Sequence, residues 1–111
     1  GKEGVTLEEG KEITYSDVKK GTNYAEYTPG RFYAPNEFVV SSSAGEITSI
    51  TITCSSTSYA TVLETTMKNS KLGTVSRSST NVSLKLTTPA TTVTLTNSAQ
   101  WRGSSMTVEY N

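Results

Sequence analysis

An all-β fold, a β-sandwich of eight or nine short antiparallel strands in a jelly-roll or immunoglobulin-like arrangement, is predicted by three features of this 111-residue sequence. Hydroxyl side chains, 20 Thr and 16 Ser, nearly equal the 33% of residues that are apolar. Thr is β-branched and suits a pleated, half-solvated surface, and both hydroxyls compete with helix hydrogen bonds, so the composition argues for strands and against long helices. Several stretches alternate strictly between apolar and polar residues, and turn residues recur every 8 to 12 positions, as in sandwiches and barrels. The length suits one domain over residues 1–111 with one hydrophobic core.

In chain order, Val5 and Leu7 alternate and predict a first strand, and Ile13-Thr14-Tyr15 a second, with Gly10 between them. The segment Glu12 to Lys20 also admits a single helical turn. From Gly21 to Pro35 the run GTNYAEYTPGRFYAP reads as a structured loop, because Pro29-Gly30 is a turn signal and its four aromatics need something to pack on. Phe38 and Val40 begin the clear alternation, and Ser41 to Gly45 turns the chain. In Glu46 to Cys54, Ile50, Ile52 and Cys54 share a face while Ile47 is out of phase, which predicts a bulge near Thr48 and Ser49. Tyr59 to Leu63 is expected to be a strand and Met67 to Gly73 a hairpin loop, followed by a short strand at Val75. Val82, Leu84 and Leu86 give the cleanest inside-outside pattern, which Pro89 is expected to end because proline cannot donate to a ladder. Val93 with Leu95, and Met106, Val108 and Tyr110, supply the last two strands.

Absences limit the chemistry. No His is present, which removes Ser-His-Asp and Cys-His constellations and imidazole zinc ligands. Asp17 is the only Asp among ten acids, so an Asp-rich calcium loop is missing. Cys54 is the only cysteine and has no partner for a disulfide or a Cys-x-x-Cys site. Glu37, Glu46, Glu64 and Glu109 are expected at outward, solvated strand positions rather than in the converging, partly desolvated geometry a glycosidase needs. The expectation is therefore a protein that is not an enzyme, with no catalytic residue, metal or cofactor. Ten basic residues balance ten acidic ones, which argues against nucleic acid as a partner, and no apolar run is long enough for membrane insertion by a helix. Cys54 continues the face of Ile50 and Ile52 and reads as a buried structural thiol.

What the sequence offers instead is flat rings. Trp101 follows the polar run Thr96-Asn97-Ser98 and precedes Arg102-Gly103-Ser104-Ser105, flanks typical of an edge or loop. An exposed indole there can stack on a sugar ring while neighbouring polar groups hydrogen-bond its hydroxyls; the competing reading is a plug for one end of the core. Tyr24, Tyr27, Phe32 and Tyr33 form a second aromatic group, with Asn23 and Arg31 as polar partners, and Tyr59 is either exposed beside them or buried. In the competing reading Tyr24 and Tyr27 cover the sandwich rim, and Phe32 and Tyr33 lie on opposite strand faces with only one exposed. The candidate ligand-binding set is thus Trp101, Arg102, Tyr24, Tyr27, Asn23, Arg31, Tyr33 and Tyr59.

Four motifs, Lys20-Gly21-Thr22-Asn23, Arg31-Phe32-Tyr33, Gly45-Glu46-Ile47-Thr48-Ser49-Ile50 and Gln100-Trp101-Arg102 through Met106, Val108 and Tyr110, resemble a β-sandwich accessory or adhesive module of secreted and surface proteins of gut anaerobic bacteria. The resemblance spans about residues 18 to 110. It departs at Trp101, where the family has a small or aliphatic residue, and at Gly103, where it has an aliphatic one. It implies a non-catalytic module, secreted or at the cell surface, that attaches a parent protein to a polysaccharide or surface glycan, and it implies no agreed binding residues. The opening Gly1-Lys2-Glu3 reads as a domain excised from a longer secreted protein. The alternative is structural: an immunoglobulin-like spacer or a phage or surface-assembly subunit whose partners are other protein chains or other domains of the same protein.

Overall fold

A computed structural model describes residues 2–6, 12–18, 20, 26–27 and 30–111, with side chains described for 12–18, 20 and 30–111. The described residues form ten strands and one helix: β1 (Lys2–Thr6), β2 (Ile13–Val18), β3 (Glu26–Tyr27), β4 (Gly30–Phe32), β5 (Glu37–Ser42), β6 (Ile47–Cys54), α1 (Thr57–Ser70), β7 (Gly73–Ser78), β8 (Asn81–Ala90), β9 (Thr92–Thr96) and β10 (Trp101–Tyr110). All pairings are antiparallel. The large sheet runs β3-β4-β10-β6-β8-β7, with β1 on the rest of the β10 edge, and the small sheet runs β2-β5-β9. This is an all-β sandwich, as the alternation predicts.

The alternation builds the core directly. In the large sheet Val108, Ile50, Leu84 and Val75 fall in one cross-strand row and Met106, Ile52, Val82 and Arg77 in the next. The aliphatic residues of these rows on β6, β8 and β10 are buried. On the opposite face the same register aligns Thr107, Thr51, Ser83 and Ser76. Thr51 and Ser83 share a 2.7 Å hydrogen bond there, and the Thr53 hydroxyl donates to Asn81 Oδ1 at 2.6 Å. The abundance of hydroxyls is thus the outward half of a period-2 pattern.

The bulge expected near Thr48 and Ser49 is present, as a register shift between Ile47 and Ser49 against β8, and it turns the out-of-phase Ile47 into the core. Two other expectations are corrected. Pro89 does not end its strand, because β8 continues to Ala90 opposite Ile47. The β6 ladder skips from Lys85 to Ala90 on β8, and the β7 ladder ends at Leu86 of β8, so Pro89 sits where neither neighbour requires its missing N–H. Within Glu12 to Lys20 the described residues Ile13–Val18 are strand β2 rather than a helical turn.

The larger correction is α1. Tyr59 to Leu63 is helix, and Met67 to Gly73 is the end of that helix and the entry to β7. Ser56 caps the N-terminus, its hydroxyl accepting from Tyr59 N–H at 3.3 Å, and Lys71 closes the C-terminus with φ 58°. Ala60, Leu63 and Met67 recur at helical spacing and are fully buried. The Thr content, which lowers helix propensity, is accommodated by hydroxyls that donate one turn back, Thr61 to Thr57 O at 3.1 Å and Thr65 to Thr61 O at 3.2 Å. Packing of one apolar stripe outweighs propensity here. The helix packs on β9 of the small sheet and on β6, β7, β8 and β10 of the large one.

Candidate functional site

Trp101 is not a surface platform: it is fully buried. It stacks on Phe32 at 4.4 Å between centroids and meets Phe38 edge-on at 5.3 Å, while Tyr15 packs on Phe32 and Phe38. This group joins both sheets, since Trp101 and Phe32 come from β10 and β4, and Tyr15 and Phe38 from β2 and β5. The indole N–H donates to Asn97 Oδ1 at 2.9 Å. Asn97 is itself buried, its amide nitrogen donating to Tyr33 O at 3.2 Å and its backbone N–H to Asn36 O at 3.0 Å. The polar flank that suggested an exposed loop therefore exists to satisfy a buried ring.

The remaining candidates divide. Phe32, the last residue of β4, is buried, and Tyr33, just beyond the strand, is half-buried. Arg102 and Arg31 are cross-strand neighbours on the face opposite Trp101. The Arg102 guanidinium lies 5.4 Å from the ring centre of half-buried Tyr59, so these two are brought together as a cation–π pair. Asn23 and Tyr24 lie outside the described residues, and of Tyr27 only its backbone pairing with Gly30 is described. Among the candidate carboxylates, Glu64 sits 3.4 Å from Lys68 and 3.6 Å from Arg77, and Glu37 3.6 Å from Lys20. Cys54 is a core residue, and its burial pushes the thiol up to about 11 against a smaller opposing pull from the Arg77 charge.

A concave site that the sequence reading missed lies along the seam between α1 and β9. Thr66, Asn69 and Ser70 of the helix and Thr94 and Thr96 of the strand line a groove of about 280 Å³. Of the lining residues, Thr66 is tied to the turn after β9: Ser98 N–H donates to Thr66 Oγ1 and the two hydroxyls meet, both at 3.1 Å. The bonds Asn97 N–H to Asn36 O and Ser42 N–H to Thr91 O fix the hydrogen-bonding phase between β5 and β9. That phase turns the amides and carbonyls of Val93 and Leu95 toward β5 and those of Thr94 and Thr96 toward the groove. Asn69 is exposed and Ser70 half-buried, the Ser70 hydroxyl donating to Met67 O at 2.6 Å. The lining has hydroxyls, an amide and strand-edge backbone groups, and no ionisable side chain. The signal in the sequence was the hydroxyl triplet of Thr92-Val93-Thr94-Leu95-Thr96, but it becomes concave only beside α1.

Comparison with protein-family models, curated proteins and solved structures finds no match. The functional reading therefore rests on the chain's own geometry. No described helix is long and apolar enough to cross a membrane.

Proposed function

We propose that this chain is a non-catalytic binding module that takes one ring of a neutral, hydroxyl-rich ligand, a polysaccharide or surface glycan, in the groove between α1 and β9. The observation that carries the reading is the lining: donors and acceptors in alternation, from Asn69, Thr94, Thr96 and the edge of β9, with no charge among them. A neutral polyol offers the matching pattern, whereas a phosphate or carboxylate ligand would leave its charge uncompensated. A volume of about 280 Å³ is at the small end of ligand sites and suits a single ring rather than a long buried chain. This reading keeps the carbohydrate partner that the motif resemblance implies, together with attachment of a parent protein in a secreted or cell-surface setting. It moves the contact from aromatic rings to hydroxyls and backbone.

Calorimetric titration against a panel of soluble neutral and acidic glycans tests it. Neutral glycans should bind with little dependence on salt. Thr94→Arg, which fills the groove, and Asn69→Ala should each weaken binding about tenfold or more, equivalent to about 1.4 kcal/mol. No binding across the panel, or binding that both variants leave intact, rejects the site.

A further inference from the structure

α1 packs against β7, but among the described residues the outer edge of β7 has no strand partner. β7 ends the large sheet on the side away from β4 and β3. Its hydrogen-bonding phase follows from two features. Thr87 N–H donates to Leu72 O at 3.0 Å, and Ser78 pairs with Asn81 across the two-residue connection Ser79-Thr80. Thr74, Ser76 and Ser78 therefore spend their backbone groups on β8, and Val75 and Arg77 present theirs outward.

Edges left open in this way are normally guarded by a proline, a bulge or a projecting lysine. β7 (GTVSRS) has no proline, and its pairing with β8 has no register shift. Its one charge is folded away: Arg77 Nε donates to Ser79 O at 2.9 Å, its terminal nitrogens reach Thr61 Oγ1 at 2.6 Å and Thr57 O at 3.0 Å, and Glu64 offsets its charge.

We propose that β7 pairs antiparallel with β7 of a second copy of this chain, about a two-fold axis at Ser76, so that two large sheets become one. In this register Val75 faces Arg77 of the partner subunit and the outward backbone groups of both are satisfied in reciprocal pairs. On the outer face Ser76 meets the partner's Ser76 and Thr74 meets the partner's Ser78, hydroxyl against hydroxyl. The two Arg77 side chains do not oppose each other, so no like charges meet across the axis. The same edge is used by both copies, and an isologous contact closes at two chains. The inference rests on the edge alone and does not depend on the groove between α1 and β9. It gives a specific form to the alternative in which the module assembles with other protein chains.

Sedimentation equilibrium from micromolar concentration to about 1 mM, which spans weak association, tests it. The wild-type mass should rise to twice 11.9 kDa and no further. Ser76→Lys and Ser76→Glu should each raise the dissociation constant about tenfold or more, because like charges then sit directly opposite, and an equimolar mixture should restore association. Val75→Pro removes only an N–H that the monomer does not use, and should abolish association while far-ultraviolet circular dichroism is retained; if that variant fails to fold, the charge pair still decides. A wild-type chain that stays monomeric, mass that grows beyond two copies, or a dimer indifferent to the Ser76 variants overturns the proposal.

Discussion

The side-chain oxygen of Asn97 accepts the indole N–H of Trp101 at 2.9 Å inside the core, four residues back along the chain. This one bond ties the turn after β9 to the first residue of β10, and through Phe32 and Phe38 to both sheets. Trp101→Ala should therefore destabilise the fold by about 3–5 kcal/mol. Asn97→Ala should cost about 1–3 kcal/mol by stranding a buried donor. Urea denaturation of both variants and of the double variant checks this, and the double variant should cost less than the sum. Acrylamide should quench the native indole far less than the unfolded one.

Arg77 joins the β7–β8 hairpin to α1 chiefly by hydrogen bonding. Arg77→Met keeps the apolar stem while losing the contacts to Ser79, Thr61 and Thr57, and should destabilise by about 1 kcal/mol. Glu64→Gln removes only a partly exposed ion pair and should cost under about 0.5 kcal/mol. Equal losses for the two would assign the work to the charge pair instead.

The thiol of Cys54 gives an alkaline signature. Its pKa is raised by burial from 9.0 to about 11, so the folded state holds its proton where the unfolded state has released it. The stabilisation is complete below pH 9 and is lost as pH rises through about 11. Stability of the wild type should fall more steeply across that window than that of Cys54→Ala, and thiol labelling at pH 8 should be slow in the native state and fast in urea.

Gly73 is where β7 passes close over β8. A Cβ there would collide with Lys85 O and come within 2.9 Å of Leu86 Cα, both backbone atoms that cannot move alone. Gly73→Ala should destabilise by about 1–3 kcal/mol, read as a lowered thermal midpoint.

The strands were legible wherever side chains alternate, because a sheet with one buried face imposes period 2 on Ile50 to Cys54, Val82 to Leu86 and Met106 to Tyr110. Even the bulge at Ile47 left a trace, as a residue out of phase. The helix was hidden by composition: Thr57, Thr61, Thr65 and Thr66 weigh toward strand, although Ser56 and the Ala60, Leu63, Met67 spacing mark a capped amphipathic turn sequence. Trp101 was misplaced because a polar neighbour such as Asn97 looks the same in sequence whether it faces water or serves a buried ring. Of the groove only the Thr92, Thr94 and Thr96 hydroxyls left a trace, since its two walls are 24 or more residues apart and meet only through the packing of α1 against β9.

A helix that stands in for strands changes how the second layer is fastened. Strands lock to one another through main-chain bonds, but α1 spends its own internally, so its border with β9 relies on a few side-chain hydroxyls such as those of Thr66 and Ser98. That border is the natural place for the molecule to breathe: β9 can loosen from the helix while every ladder of the large sheet stays intact. A guest settling into the seam would act as the missing stitches, and hydrogen exchange at Thr94 and Thr96 is where its arrival would first register.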